Sequence, residues 1–226
     1  MLHHGCMAAE LINHMIPPLK QKDDAHKALV WMEELRCNEL PVVHDGHFLG
    51  FITEDMIMEA NDAEKLIETF DKIGKQCVLG SGSHMYDVIK MAAENEMKMV
   101  SVQDHANTYM GVITVQDTIN SMAQSIAIQM PGSILVLSIP HIDYSLSQIS
   151  RLVEENNAKI LSSSVKEDDV DSGQLRVTLK INKPDLAQIV ATYERFGYKV
   201  IGRFQESQIV EKDKEKLDML FRFLDI

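Results

Sequence analysis

Basic charge is scarce in this chain. Across 226 residues, 22 Lys and Arg stand against 34 Asp and Glu, for a formal net charge of −12; the average field therefore repels phosphate backbones. The basic residues are scattered, with no aromatic-interleaved stripe among them, so nucleic acid is not an expected partner. Cysteine is equally sparse: Cys6, Cys37 and Cys77 are odd in number and far apart, which argues against a disulfide framework and a Cys-x-x-Cys zinc site. No apolar run approaches the roughly 20 residues of a membrane-spanning helix, and the first residues lack a signal peptide's basic segment and apolar core. A cytoplasmic location with no membrane partner is the expectation.

Signatures of catalysis are missing too. Gly80-Ser81-Gly82 has neither the Lys of a phosphate-binding loop nor the spacing of a nucleophile elbow. Cys37 and Cys77 fall in helix or strand contexts that suit small core residues, and the fourteen methionines suit core filling. His3, His4, Cys6 and His14 sit near the start, where a free amino terminus with His at position three can chelate Cu(II) or Ni(II), but no zinc-type partner pair follows. In the acidic turn Asp168 to Gly173, counting from Asp169 puts Lys180 where a calcium loop needs a bidentate Glu. No catalytic residue, no metal site and no cofactor are expected.

What is present is an internal repeat. The stretch from Ile16 to about Ala60 recurs from Cys77 to about Met122. In the first copy Asp24 can cap a helix with Ala25, Ala28, Leu29 and Met32 on one face; in the second Ser83 can cap one with Met85, Val88, Ile89 and Ala92. A strand follows each helix, Leu40-Pro41-Val42-Val43 or Val100-Ser101-Val102, then a turn at Asp45-Gly46 or His105-Ala106-Asn107. The next strands, Leu49 to Thr53 and Met110 to Thr114, each open a helix, with Ile119, Met122 and Ile126 as the second copy's apolar stripe. Gly82-Ser83-His84-Met85 looks like an expression-tag scar but keeps the register of the repeat, and is read as native. Each βαββα copy is too small to close its own core, so the two should pack together.

The doubled order of elements, the Leu-Pro-Val-Val strand and the two Gly-hydrophobic-hydrophobic-Thr turns resemble the CBS (cystathionine-β-synthase-type) domain, which works as a tandem pair. The resemblance covers about the first 130 residues and implies a site for an adenosine-containing ligand: AMP, ADP, ATP or S-adenosylmethionine. In that family the turn reads Gly-h-h-Thr/Ser-x-x-Asp, and its carboxylate accepts hydrogen bonds from a ribose diol. Two vicinal hydroxyls suit a carboxylate, and a helix N-terminus favours an anion nearby. Gly111-Val112-Ile113-Thr114-Val115-Gln116-Asp117 fits completely, whereas Gly50-Phe51-Ile52-Thr53-Glu54-Asp55-Met56 places its acid one residue early. One competent site, organised by Thr114 and Asp117 with Val112, and one degenerate site are expected. The adenine is expected near Val78 and Leu79, with Ser81 and Ser83 as polar contacts. The plain alternative is that Asp117 only caps its helix; an acid facing bulk solvent, or plugged by a side chain, would leave a scaffold and no sensor.

Pro131-Gly132 marks a boundary. Beyond it come a strand at Ile134 to Leu137, and a helix capped by Ser145 and Gln148 with Leu146, Ile149, Leu152 and Val153 on its apolar face. A strand from Ile160 to Val165 and an alternating strand with Leu175, Val177, Leu179 and Ile181 inward follow. A helix then begins near Pro184, with Leu186, Ile189, Val190 and Tyr193 on one face and Gly197 as its stop, before a last strand from Tyr198 to Phe204. The ferredoxin-like βαββαβ order resembles ACT domains. The turn Pro140 to Ser145 holds Asp143 but lacks the Gly of the ACT ligand turn, so a structural or dimerising role is favoured over amino-acid sensing.

The expected fold is α+β: CBS repeats over 1–70 and 71–130, an ACT-like domain over 131–205, and an amphipathic helix over 206–226 with Leu217, Leu220, Phe221 and Leu224 on one face. A CBS pair plus ACT domain resembles acetoin-utilisation-type regulatory proteins of bacteria. That resemblance implies a non-catalytic, homodimeric regulator acting on a partner protein that it does not identify. The alternative is a ligand-free dimerisation or interaction module with both sites degenerate.

Overall fold

Two small sheets of one design follow from the two copies of the repeat. The computed structural model describes residues 7–205, so His3, His4, Cys6 and the pattern at Leu217 to Leu224 lie outside the described residues. The first copy runs β1 (Leu19–Lys20), α1 (Ala25–Leu35), β2 (Glu39–His44), β3 (His47–Thr53) and α2 (Glu54–Ala60). The second runs β4 (Val78–Gly80), α3 (Met85–Glu94), β5 (Met99–Gln103), β6 (Tyr109–Thr114) and α4 (Val115–Ala123). The sheet orders are β1-β2-β3 and β4-β5-β6, with the first pair parallel and the second antiparallel in each.

Local chemistry explains the boundaries. Asp24 caps α1 by accepting from the Lys27 N–H at 2.8 Å, and Arg36 ends it in the left-handed region at φ 54°. Asp45 and Gly46, both at positive φ, make the tight turn between β2 and β3. The cap of α3 departs from expectation: it is His84, not Ser83, whose Nδ1 accepts from the Tyr86 N–H at 3.1 Å while Asp87 accepts from the His84 N–H at 2.9 Å. Met85 is buried behind it, as Ala25 is in the first copy.

The two copies exchange their leading segments. Asn13 forms an antiparallel bridge with Val112, and Ile73 forms one with Phe51, so the stretch before each repeat crosses the last strand of the other. These crossings explain the two turn glycines. Gly50 and Gly111 sit at φ +129° and +154°; a Cβ on Gly50 would meet Lys72 Cβ at 2.7 Å, and one on Gly111 would overlap Ile12 Cγ2. One apolar core therefore contains Leu19, Met32, Leu40, Phe51 and Ile52 from the first copy with Met97, Met99 and Val112 from the second. A smaller cluster joins Ala8 and Ile12 to Val88, Val100 and Ile113. The expected shared core is formed, but not through the stripe on α4: Ile119 and Met122 are exposed, and the side chain buried from that helix is Thr118, whose hydroxyl donates to the Val115 carbonyl at 2.6 Å.

The chain divides at Ala123/Gln124. The second unit holds α5 (Ile126–Gln129), β7 (Ser133–Pro140), α6 (Leu146–Glu154), β8 (Ile160–Glu167), β9 (Gln174–Ile181), α7 (Ala187–Arg195) and β10 (Lys199–Phe204). Its antiparallel sheet has the order β10-β7-β9-β8, the ferredoxin-like arrangement. Leu135, Leu137, Ile139, Val177, Leu179 and Ile181 meet Ile149, Leu152, Val153, Leu186, Ile189 and Tyr193 in one core, and the Tyr193 hydroxyl ties α7 to α6 by donating to the Ile149 carbonyl at 2.8 Å. Two expectations shift. Leu146 is exposed rather than part of the buried face, and Leu186 takes the cap position of α7, leaving Pro184 just before the helix.

Candidate functional site

The strand-to-helix turn of the second repeat places Thr114 at the end of β6 and Asp117 in the first turn of α4. Thr114 donates to Asp117 Oδ2 twice, from its backbone N–H at 2.9 Å and its hydroxyl at 2.6 Å, and the Asp117 N–H donates back to Thr114 Oγ1 at 3.0 Å. This reciprocal capping box satisfies two helix-end donors and puts a negative charge at the positive end of α4. The plain structural reading of Asp117 is therefore correct as far as it goes.

Asp117 also lines a cleft of about 1140 Å3 within the first unit, slightly larger than the roughly 300–1,000 Å3 usual for small-molecule sites. Ile16, Leu29, Met32 and Met99 form its apolar wall, and Arg36, Asn38, Lys98 and Gln116 contribute polar groups. Two cationic residues, Arg36 and Lys98, share the lining with three acidic ones, Glu33, Glu54 and Asp117. Asn13 completes the wall, its Nδ2 lying 3.3 Å from both Asp117 Oδ1 and Oδ2. Asp117 is thus neither turned to bulk solvent nor bare: a neighbouring side chain already touches it.

The structure brings Thr114 and Asp117 together and lays Val112 in the core beneath them. It does not bring Val78, Leu79, Ser81 or Ser83 into this cleft. Val78 and Leu79 pair with Ser101 and Val102 in the sheet, while the Ser81 and Ser83 carbonyls accept from the backbone N–H groups of Ala9 and Ala8 at 3.1 and 2.8 Å. The reason is the exchange of leading segments, which puts Asn13 to Ile16 beside the second repeat's turn. Asn13, Arg36 and Lys98 carry no local motif; the paired glycines that accommodate the crossings are their only trace in the sequence.

At the first repeat the backbone path is the same and the chemistry differs. The Met56 N–H donates to Thr53 Oγ1 at 3.4 Å, but the Met56 side chain packs against the core cluster and returns nothing. Asp55 is exposed, as the roughly 100° turn per residue requires. At the crossing that corresponds to Asn13 stands Ile73, whose N–H donates to the Phe51 carbonyl at 3.0 Å and whose apolar side chain offers this turn no amide.

Two other groups bear on chemistry. Glu39 is 5% exposed, and its Oε1 accepts from the Lys98 N–H at 2.9 Å; burial pushes its carboxyl above the ordinary value of 4.5 against the pull of the Lys98 and Met99 N–H groups. Cys37 and Cys77 are free, pack in or against the main core, and have thiols raised by burial, the opposite of an activated nucleophile. In the second unit Asp168 accepts from the Arg176 Nη2 at 2.8 Å and from the Val170 N–H at 2.9 Å, which uses it as a turn and ion-pair residue. The turn His141–Asp143 borders a smaller cavity of about 460 Å3 with Ser145 and Tyr198. Among the described residues no helix is long and apolar enough to cross a membrane.

No protein-family model matches the chain. Among solved structures it is similar to a CBS domain pair/ACT domain protein from Thermotoga maritima, at 13% identity over 53% of this chain and 98% of that one, with a TM-score of 0.48. It is also similar to CBSX2 from Arabidopsis thaliana, solved in complex with AMP, at 13% identity over 53% and 98% and a TM-score of 0.46. The CBS domains of a transcriptional regulator from Streptococcus pneumoniae match at 18% identity over 50% and 97%, with a TM-score of 0.46.

Proposed function

We propose that this chain is a non-catalytic regulatory protein of the CBS-pair type that binds an adenosine-containing ligand in the cleft at Thr114 and Asp117. One observation carries the reading: the only Thr-x-x-Asp turn of the two repeats lines a large cleft together with apolar residues and two cationic ones, Arg36 and Lys98. The ribose diol donates to Asp117, the base lies along Ile16, Leu29 and Met32, and a phosphate meets Lys98, Arg36 and the N-terminus of α4. With three acids against two bases in the lining, a ligand with one phosphate, or the sulfonium of S-adenosylmethionine, fits better than a triphosphate. The ferredoxin-like unit serves as an ACT-like dimerising domain, and exposed Met15, Met58, Ile119 and Met122 supply apolar surface for pairing of the first unit in a homodimer.

Asn13 favours a second reading. Because Asp117 already has a capping box and an amide on its carboxylate, a ligand-free interaction module is chemically complete as it stands. Titration calorimetry with AMP, ADP, ATP and S-adenosylmethionine separates the two. The sensor reading expects at least one to bind with micromolar affinity; no heat from any of them at millimolar concentration leaves the module.

A further inference from the structure

We infer that Asn13 is an internal latch on the ligand site, so that filling the site releases the segment that crosses between the repeats. The inference rests on the ligand reading above and adds how the site is controlled. The Asn13 side chain has a fixed orientation: its Oδ1 accepts from the Met15 N–H at 3.0 Å, which leaves Nδ2 to face the carboxylate. That one NH2 group is shared between Oδ1 and Oδ2 of Asp117 at 3.3 Å each. Two donors directed at one carboxylate are also what a vicinal diol presents, so the amide stands where the ribose hydroxyls would donate. Its bonds lie beyond the usual 2.7–3.2 Å range for N–H···O, whereas hydroxyl donors to a carboxylate reach about 2.5–2.7 Å. The diol is the stronger occupant, and the two exclude each other.

Displacement has a consequence along the chain. Asn13 belongs to a segment pinned at both ends of the second repeat. Its own N–H donates to the Val112 carbonyl at 2.8 Å, while the Ala8 and Ala9 N–H groups donate to the Ser83 and Ser81 carbonyls before α3. The corresponding residue of the other crossing is Ile73, which bridges Phe51 as Asn13 bridges Val112 and has an apolar side chain, so only one of the two crossings carries a polar latch. A ligand that takes Asp117 from Asn13 removes one fastening of the Met7-to-Ile16 segment and no fastening of the Ile73 crossing. Conversely, the latch holds part of the population in a closed state and weakens apparent affinity by that fraction.

The test uses the full chain, with AMP and S-adenosylmethionine as probes, in three forms: wild type, Asn13→Ala and Asp117→Ala. The latch predicts that Asn13→Ala binds about tenfold more tightly than wild type, that Asp117→Ala binds either probe roughly 10- to 100-fold more weakly than wild type, and that ligand speeds hydrogen exchange of the amides at 8–16 while slowing it at 114–117. Equal or weaker binding by Asn13→Ala, with the wild type binding, overturns the latch and leaves the ligand reading intact. Failure of both wild type and Asn13→Ala to bind either probe overturns both. Binding by Asn13→Ala that the other two forms do not match supports the latch even where the wild type is silent, and matched thermal unfolding of the three forms shows that each is folded.

Discussion

The turns Gly50–Met56 and Gly111–Asp117 follow the same backbone path and part company at one side chain. In the first, Met56 packs against the core and a single bond to Thr53 Oγ1 caps the helix; in the second, Asp117 completes a capping box and lines the cleft. The difference teaches what the fold requires. A carboxylate at this position is dispensable for building the turn, because the first repeat builds it with methionine. The fold needs the glycine and the threonine, and the acid is an addition specific to the second copy.

The most severe way to break this comparison is to remove a side chain both halves share. Phe51 is fully buried in the core that joins the repeats, so Phe51→Ala should lower stability by about 3–5 kcal/mol, with fluorescence and circular dichroism reporting one transition for the whole first unit. Two separate transitions would mean that the repeats are independent. The paired glycines sharpen the likeness instead. Gly50→Ala and Gly111→Ala each force a side chain into a crossing segment at an unfavourable φ, and each should lower the urea midpoint by the equivalent of about 1–3 kcal/mol. A tolerated alanine at either site would show that the crossing there is loose.

A smaller, pH-dependent effect belongs to Glu39, which reaches across to Lys98 of the other repeat. Burial raises its carboxyl above 4.5, so the folded protein holds this proton more tightly than the unfolded chain. The stability it contributes is present at low pH and is lost as pH rises from about 4.5 through the folded value. Glu39→Gln keeps an acceptor for the Lys98 N–H without the charge. Its stability relative to wild type, from urea unfolding across pH 4 to 8, should improve as pH rises; a constant difference would remove the carboxyl from the explanation.

Much of this was legible because it is local or periodic. The doubled βαββα order, the Asp24 cap, the alternation in β9 and the Thr114-x-x-Asp117 spacing are all encoded within a few residues, and each appears in the structure where the pattern puts it. What escaped was set by distance along the chain. Nothing near Asn13 says that it will lie against Asp117, and nothing near Val78 says that β5 and the leading segment will occupy its surroundings. Periodicity assigns a face to a helix without saying what covers that face, which is why Ile119, Met122 and Leu146 read as buried and are exposed. Residue preference favours Ser as a cap, and here His84 takes the position because its Nδ1 reaches the same backbone donor.

The most direct measurement is calorimetric titration of AMP into the wild type, Asp117→Ala and Asp55→Ala. Loss of a charged acceptor for two hydroxyl donors should weaken binding by roughly 10- to 100-fold in Asp117→Ala, while Asp55→Ala binds as the wild type does. Equal affinity in all three, or equal loss in both variants, would contradict a single competent site in the second repeat.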